Sequence, residues 1–366
     1  VNYTDFVTAN AAEFLRSRNI GFDLLQALAE EQGFDDALVL LTSSPVHGIA
    51  TATSDIDLVC VTPQAVSKGQ MATQIHRGGQ HCEILPMGAD DLARAFADLA
   101  SLSTRDLPQR LAGYQRWDAG HAVRRKYLER VVYAVATDGR AHHLSHLGAL
   151  VPVAAAQEYD AFHQSRVCAL LALRAGELEA ARGHLVNACL AAMAAALSLG
   201  GWVLSNKKWT LRRWREAASP RMRVVDPQLR ELLDATWSRT SDFLHAITAR
   251  EIDALGEIDA RLGVLAGAPT GEISPRAALP SAQTPCTQAA LDRRSAFLIG
   301  EDDRARLAPL TDMLVPPAHL ADLAMLDMAQ AAALLRAAHS GTLSFSLVAV
   351  ACTDDETKED VHALAA

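Results

Sequence analysis

Two aspartates at the head of an apolar strand constrain this chain more than any other feature. In Leu38 to Thr62, LVLLTSSPVHGIATATSDIDLVCVT, an apolar run leads through a Ser-Ser turn and a glycine-containing connection. Ser54-Asp55-Ile56-Asp57 then opens a second apolar run, Leu58, Val59, Cys60 and Val61. Side chains alternate along a strand that rises about 3.3 Å per residue, so Asp55 and Asp57 project from one face roughly 7 Å apart. Carboxylates placed side by side repel, and they are costly where water is scarce, so the pattern asks for a cation. Oxygen donors with no Cys or His between them favour Mg2+ over zinc. Taken alone, such a tripeptide more often marks a capped turn with one aspartate facing solvent, and the surrounding residues have to shift that balance.

They do so through a resemblance. Ser43-Ser44, Gly48 and Ser54-Asp55-Ile56-Asp57 resemble the signature of the DNA polymerase beta type nucleotidyltransferase superfamily. In that signature a Gly-Ser pair precedes Asp-x-Asp or Asp-x-Glu by about a dozen residues, and the likeness spans residues 36 to 92. It implies a third acidic ligand from a neighbouring strand, which falls on Glu83 in His81-Cys82-Glu83-Ile84-Leu85-Pro86. It further implies that Asp55, Asp57 and Glu83 hold two Mg2+ ions. One ion would activate an acceptor hydroxyl for in-line attack on the alpha phosphorus of a nucleoside triphosphate, the other would neutralise the leaving pyrophosphate. Ser43, Ser44, Gly48, Ser54 and nearby backbone amides would cradle the phosphates. Serine stands at 43 where the family most often has glycine, whose missing Cβ permits close backbone approach. That departure keeps a catalytically silent, nucleotide-binding reading in play.

The rest of the chain is expected to be mostly helical. At 366 residues, half of them apolar, it is long enough for two or three cores, and aromatics are only 5%. A net charge of -9 argues against a nucleic-acid-coating surface. Six cysteines without a C-x-x-C pair point to reduced thiols in a cytoplasm, and the N-terminus lacks the pattern of a signal peptide. Leu185 to Leu204 has the length of a membrane span, but alanine, Asn187 and Gly200-Gly201 make it a buried helix that ends at the glycines.

Residues 4 to 33 read as two helices, 63 to 79 as a helix or excursion ended by Gly78-Gly79, and 90 to 102 as a helix. A helix starting near His121 ends at Asp138-Gly139, and further helices cover 155–173, 177–199, 208–218, 228–249 and 252–265. Residues 266 to 286 carry Pro, Gly, Ser and Thr without periodicity, as a linker does. Beyond them, 304–314 and 320–338 read as helices, 343–351 as a strand, and the tail as acidic and then helical.

Glu177-x-Glu179-x-x-Arg182, the long helix after it and Asn206-Lys207-Lys208-Trp209 resemble the helical domain of small-molecule nucleotidyltransferases of the kanamycin nucleotidyltransferase group. Lys208, in a basic cluster with Lys207, Arg212, Arg213 and Arg215, is the candidate phosphate contact; a solvated face with Trp209 and Trp214 as core anchors is the plainer alternative. His184 and Asn187 share a helix face that lines an acceptor cleft or finds local partners. Glu158 and Asp160 read first as helix N-terminal charges and second as a general base.

The expected protein is therefore α+β. A nucleotidyltransferase domain with a small mixed sheet flanked by helices covers 1–107, an all-helical bundle 108–265, a linker 266–286 and a small C-terminal α/β module 287–366. Its expected activity moves a nucleoside monophosphate, AMP from ATP, onto a hydroxyl of a small acceptor. Transfer onto a protein is the alternative within enzymes. No nucleic acid or membrane partner is expected, and the apolar helices leave room for a homodimer.

Overall fold

The computed structural model describes residues 2–66, 72–77, 79–219, 224–266, 273–278, 286–292, 295–300, 326–339 and 344–349. The chain divides into two compact units, Val1–Tyr159 with Leu190–Leu233, and Asp160–Cys189 with Asp234–Ala366.

The first unit is built on a five-stranded mixed sheet. Two helices lead into it, α1 (Tyr3–Ser17) and α2 (Phe22–Glu30). Asn2 caps α1 by accepting from the Thr4 and Asp5 backbone amides, which satisfies donors that a first turn otherwise leaves open. The strands are β1 (Leu38–Leu41), β2 (Ile56–Thr62), β3 (Thr73–Arg77), β4 (Gln80–Gly88) and β5 (Val135–Ala136), in spatial order β3-β4-β2-β1-β5. β1 runs antiparallel to β2 and β5, β2 runs parallel to β4, and β3 is antiparallel to β4. Val39, Leu40, Leu41, Leu58, Val59, Cys60 and Ile84 are buried, as continuous apolar runs covered on both faces should be.

Two elements differ from the sequence expectation. The helix anticipated from His121 to Asp138 is shorter, α6 (Arg125–Val132), and is followed by β5 on the edge of β1, beyond the expected domain boundary at 107. Valines at 131, 132 and 135 satisfy a helical and an extended pattern alike, and pairing with Leu40 and Leu41 decides for the strand. Asp138-Gly139, with Gly139 at φ +79°, then turns the chain. Residues 73–77, expected within a helix or excursion, are β3, which pairs antiparallel with β4.

After β4 come α3 (Ala89–Ser103), α4 (Leu107–Gln115), α5 (Trp117–Gly120) and α6. The later helices are α7 (Leu147–Arg174), α8 (Leu178–Leu199), α9 (Thr210–Glu216), α10 (Pro227–Ser241) and α11 (Ala249–Leu265), the helical region expected from the pattern. The single helix read over 228–249 stops at Ser241. Arg182 on α8 secures that end, its guanidinium donating to the carbonyls of Thr240 (3.1 Å) in the last turn and of Asp242 (2.6 Å) and His245 (2.6 Å) just beyond it. A capping box, Thr248 with Glu251, restarts the chain as α11. α8 alone among the described helices is long and apolar enough to cross a membrane. Two thirds of its apolar window, 67%, is buried inside the fold, as in a core helix, and it ends at Gly200-Gly201, with Gly201 at φ +88°.

In the second unit, Asp259 of α11 takes His163 at 3.0 Å and Arg166 at 2.9 Å from α7. Toward the C-terminus lie β6 (Ile273–Ala278), β7 (Cys286–Asp292), β8 (Ser295–Gly300), α12 (Met328–His339) and β9 (Ser344–Ala349). They form a second sheet in the order β7-β8-β6-β9. β6 falls inside the stretch read as a linker, and β9 pairs with β6 rather than with the first sheet. The helix expected over 304–314, the start of that over 320–338 and the acidic tail lie outside the described residues.

Candidate active site

The register of β2 and β4 sets the site. Parallel pairing places Ile56 beside Cys82 and Asp57 directly beside Glu83. Since side chains alternate, Asp57 and Glu83 stand on one face, together with Asp55 and His81 two residues earlier on each strand. Those four groups form two couples. Asp57 and Glu83 share a cation, the Arg130 guanidinium of α6, with one nitrogen 3.7 Å from Asp57 and 3.9 Å from Glu83. Asp55 faces the His81 imidazole, whose Nδ1 lies 2.9 Å from Oδ1.

Asp57 is the best enclosed of the three carboxylates, with its side chain 21% exposed against 30% for Glu83 and 54% for Asp55. Burial pushes its pKa above the ordinary aspartate value. Arg130 and a hydrogen bond from Ser43 oppose that rise, and the charges of Glu83 and Asp55 add to it.

Ser43 follows β1 and adopts φ +64°, the left-handed region where an L residue is uncommon and glycine is at ease. The conformation that glycine would take without strain is thus kept by a serine, whose hydroxyl acts on the Asp57 carboxylate and lies 3.5 Å from the Thr42 hydroxyl. Ser44 begins the following turn, its carbonyl accepting from Ile49 at 3.2 Å. Gly48, at φ +69°, has no room for a Cβ, which would stand 2.9 Å from the Asn10 amide. Ser54 is occupied locally. Its hydroxyl accepts from the Thr51 amide at 2.8 Å, and its carbonyl takes Arg18 at 2.6 Å.

Oxygen donors converging on one point suit a hard divalent ion, and Asp57 and Glu83 fit that description, with Arg130 supplying positive charge at the same place. Among the described residues no group of three or more His, Cys, Asp and Glu gathers around one point as a metal cluster. Asp55 acts on Asp57 through its charge, while one of its oxygens is engaged by His81. Lys208 forms no ion pair among the described residues, and its amino group lies over the Trp209 ring, 5.1 Å from the centroid. His184 is engaged with His339, Nε2 to Nε2 at 2.9 Å, and Asn187 is exposed.

A second polar cluster in the same unit joins Arg213 and Glu158, read separately in the sequence, to Glu129, and Glu158 stands within α7 rather than at its N-terminus. Arg213, fully buried, donates to the carbonyls of Trp202 (2.7 Å) and Leu204 (2.8 Å). Glu129, next in sequence to Arg130, accepts from the Ser205 amide (3.0 Å) and the Tyr114 hydroxyl (3.2 Å). Burial raises Glu158 to about 7. The charge of Glu129 adds to the rise, and Lys207 and Arg213 oppose it. The one signal available beforehand was the presence of two glutamates and an arginine in apolar surroundings.

Compared with known proteins, residues 4–349 match one family model, described as a family of unknown function (DUF6001). No curated protein matches the chain.

Proposed function

We propose that this chain, which belongs to the DUF6001 family and takes no activity from that membership, transfers a nucleoside monophosphate, AMP from ATP, to a hydroxyl of a small acceptor and releases pyrophosphate. The observation that carries the reading is the register pair. Asp57 and Glu83 stand side by side on adjacent strands and converge on one cation position, next to a left-handed turn at Ser43. Asp57 and Glu83 are the residues that would hold Mg2+, with the charge of Asp55 beside them; bound there, the ion would make an acceptor hydroxyl more acidic and offset phosphate charge.

The protein's own groups do the rest of the positioning. Ser43 orients the Asp57 carboxylate through its hydroxyl. Arg130 lies 5.6 Å from the Tyr127 ring centroid, a contact that steadies the guanidinium within reach of both carboxylates and of any phosphate oxygen brought to them. The turn from Ser44 to Gly48 offers backbone close to that point, and Gly48 keeps it free of a side chain.

One observation favours a second reading, a nucleotide-binding protein without turnover. Arg130 stands where a cation is wanted, and a protein that never binds metal would need such a residue permanently. Labelled ATP, Mg2+ and a panel of hydroxylated small molecules separate the two. Acceptor-dependent pyrophosphate release that disappears in Asp57→Asn supports transfer, while nucleotide binding without release supports the second reading. The Asn variant should fold as well as the parent, because burial already disfavours a charge at position 57. Turnover that is unchanged in Asp57→Asn would refute the assignment.

A further inference from the structure

The two couples on the sheet face differ in chemistry, and the His81 imidazole of the one at Asp55 has no part in the reading above. His81 approaches Asp55 with Nδ1, at 2.9 Å. With Nδ1 turned to the carboxylate, Nε2 is the ring nitrogen left for another partner. A carboxylate behind an imidazole is the support that metal-bound histidines regularly have, since it orients the ring and raises the basicity of the free nitrogen.

A second imidazole stands beside the first. β3 pairs with β4 so that His76 is directly opposite His81, and directly opposed residues on antiparallel strands have Cβ atoms about 5 Å apart. The two rings lie face to face, with centroids 4.6 Å apart and planes 27° from parallel. The side chain of His81 is 26% exposed and His76 is exposed, so water and ions reach both. Metal–nitrogen bonds of about 2.0–2.1 Å on a shared ion require the two rings to turn out of this stack, and neither imidazole is buried.

We propose that His76 and His81, with Asp55 positioning His81, form a binding site for a borderline divalent transition-metal ion, Zn2+ being the representative, with water completing its coordination. Imidazole nitrogen suits zinc, copper and nickel, whereas Mg2+ prefers the oxygen donors of Asp57 and Glu83. The sheet face thus carries two cation positions of different chemistry, two residues apart along each strand. This site needs only His76, His81 and Asp55, so it stands or falls independently of nucleotidyl transfer.

The full chain possesses a natural control. His184 and His339 also approach, Nε2 to Nε2 at 2.9 Å with centroids 5.2 Å apart. Because an imidazole nitrogen lies about 1.1 Å from its ring centre, that combination sets the two nitrogens nearly head-on, a hydrogen bond that an ion shared by this pair would have to displace.

Calorimetric titration of the metal-free full chain with Zn2+ in a non-chelating buffer tests the proposal. One site per chain is expected, weakened at least tenfold in His76→Ala and in His81→Ala. Asp55→Asn should weaken it roughly 10- to 100-fold, the usual cost of losing such a support. Asp57→Asn and His184→Ala should leave it unchanged, and circular dichroism confirms that each variant is folded. No zinc uptake by the parent chain overturns the proposal, as does uptake that survives the His76→Ala/His81→Ala pair or is lost in His184→Ala instead.

Discussion

Replacing Glu158 by Gln should make the protein more stable in alkaline solution and leave it nearly unaltered in acid. Glu158 is 8% exposed, and burial holds its pKa near 7 where an unperturbed glutamate titrates at 4.5. Below pH 4.5 the carboxyl is protonated in folded and unfolded chains alike and costs nothing. Between 4.5 and 7 the unfolded chain gives up the proton while the folded one retains it, so stability falls as pH rises. Above 7 both are ionised and the loss is complete. At about 1.4 kcal/mol per pH unit, the interval corresponds to about 3 kcal/mol. Urea unfolding of parent and Glu158→Gln, followed by tryptophan fluorescence at several pH values from 4.5 to 8, gives the difference directly. Any fixed gain or loss from exchanging an acid for an amide is present at every pH and cancels in the slope. Titration of His47, buried and lowered to about 3, is common to both chains. The difference should grow across the interval and level off above neutrality. A flat difference would mean that Glu158 meets water freely, and the buried Glu129–Glu158–Arg213 cluster would lose its basis.

Two further expectations concern the site itself. Gly48→Ala forces a Cβ into φ +69° and to within 2.9 Å of the Asn10 amide, which also donates to the Val46 carbonyl; urea unfolding should show a loss of about 1–2 kcal/mol, and an unchanged midpoint would contradict the turn geometry. Arg130→Gln leaves Asp57 and Glu83 facing each other without their cation, so thermal unfolding in a chelator should come earlier, by about 1 kcal/mol given the partial exposure of all three groups, and added Mg2+ should restore it. If Mg2+ has no effect on that variant, the oxygen pair is not a cation position.

How far the sequence revealed this arrangement depends on the range of the interaction. Glu83 as the partner of Asp57 follows from the family resemblance, which implies an acidic residue on a neighbouring strand; the register that sets the two side by side belongs to the folded sheet. His81 sits two residues before Glu83 and shares its face on any strand reading. The Gly78-Gly79 pair in the sequence fits a helix end and a hairpin turn alike, and pairing of 73–77 with β4 decides for the strand. β5 was harder, because Val131 to Val135 fits both periods and only the open edge of β1 decides. Arg130 had no local signal at all. Its partners are more than 40 residues away, and a basic residue on a charged helix reads as solvated until the sheet is in place.

The weakness of the Arg130 contacts is itself informative. Separations of 3.7 and 3.9 Å, at side chains about a fifth to a third exposed, place these among the ion pairs that contribute about 0–1 kcal/mol. A permanent structural clamp would be closer and drier, as Asp259 is, 4% exposed and held by Arg166 at 2.9 Å. Between those extremes one guanidinium offsets part of the charge of two adjacent carboxylates, and little is lost when it moves. A divalent ion arriving with a polyphosphate brings stronger attraction for the carboxylates and gives the guanidinium phosphate oxygens to bind instead. Such an exchange is open to a loosely held arginine and closed to a buried one, and the proposed transfer requires it.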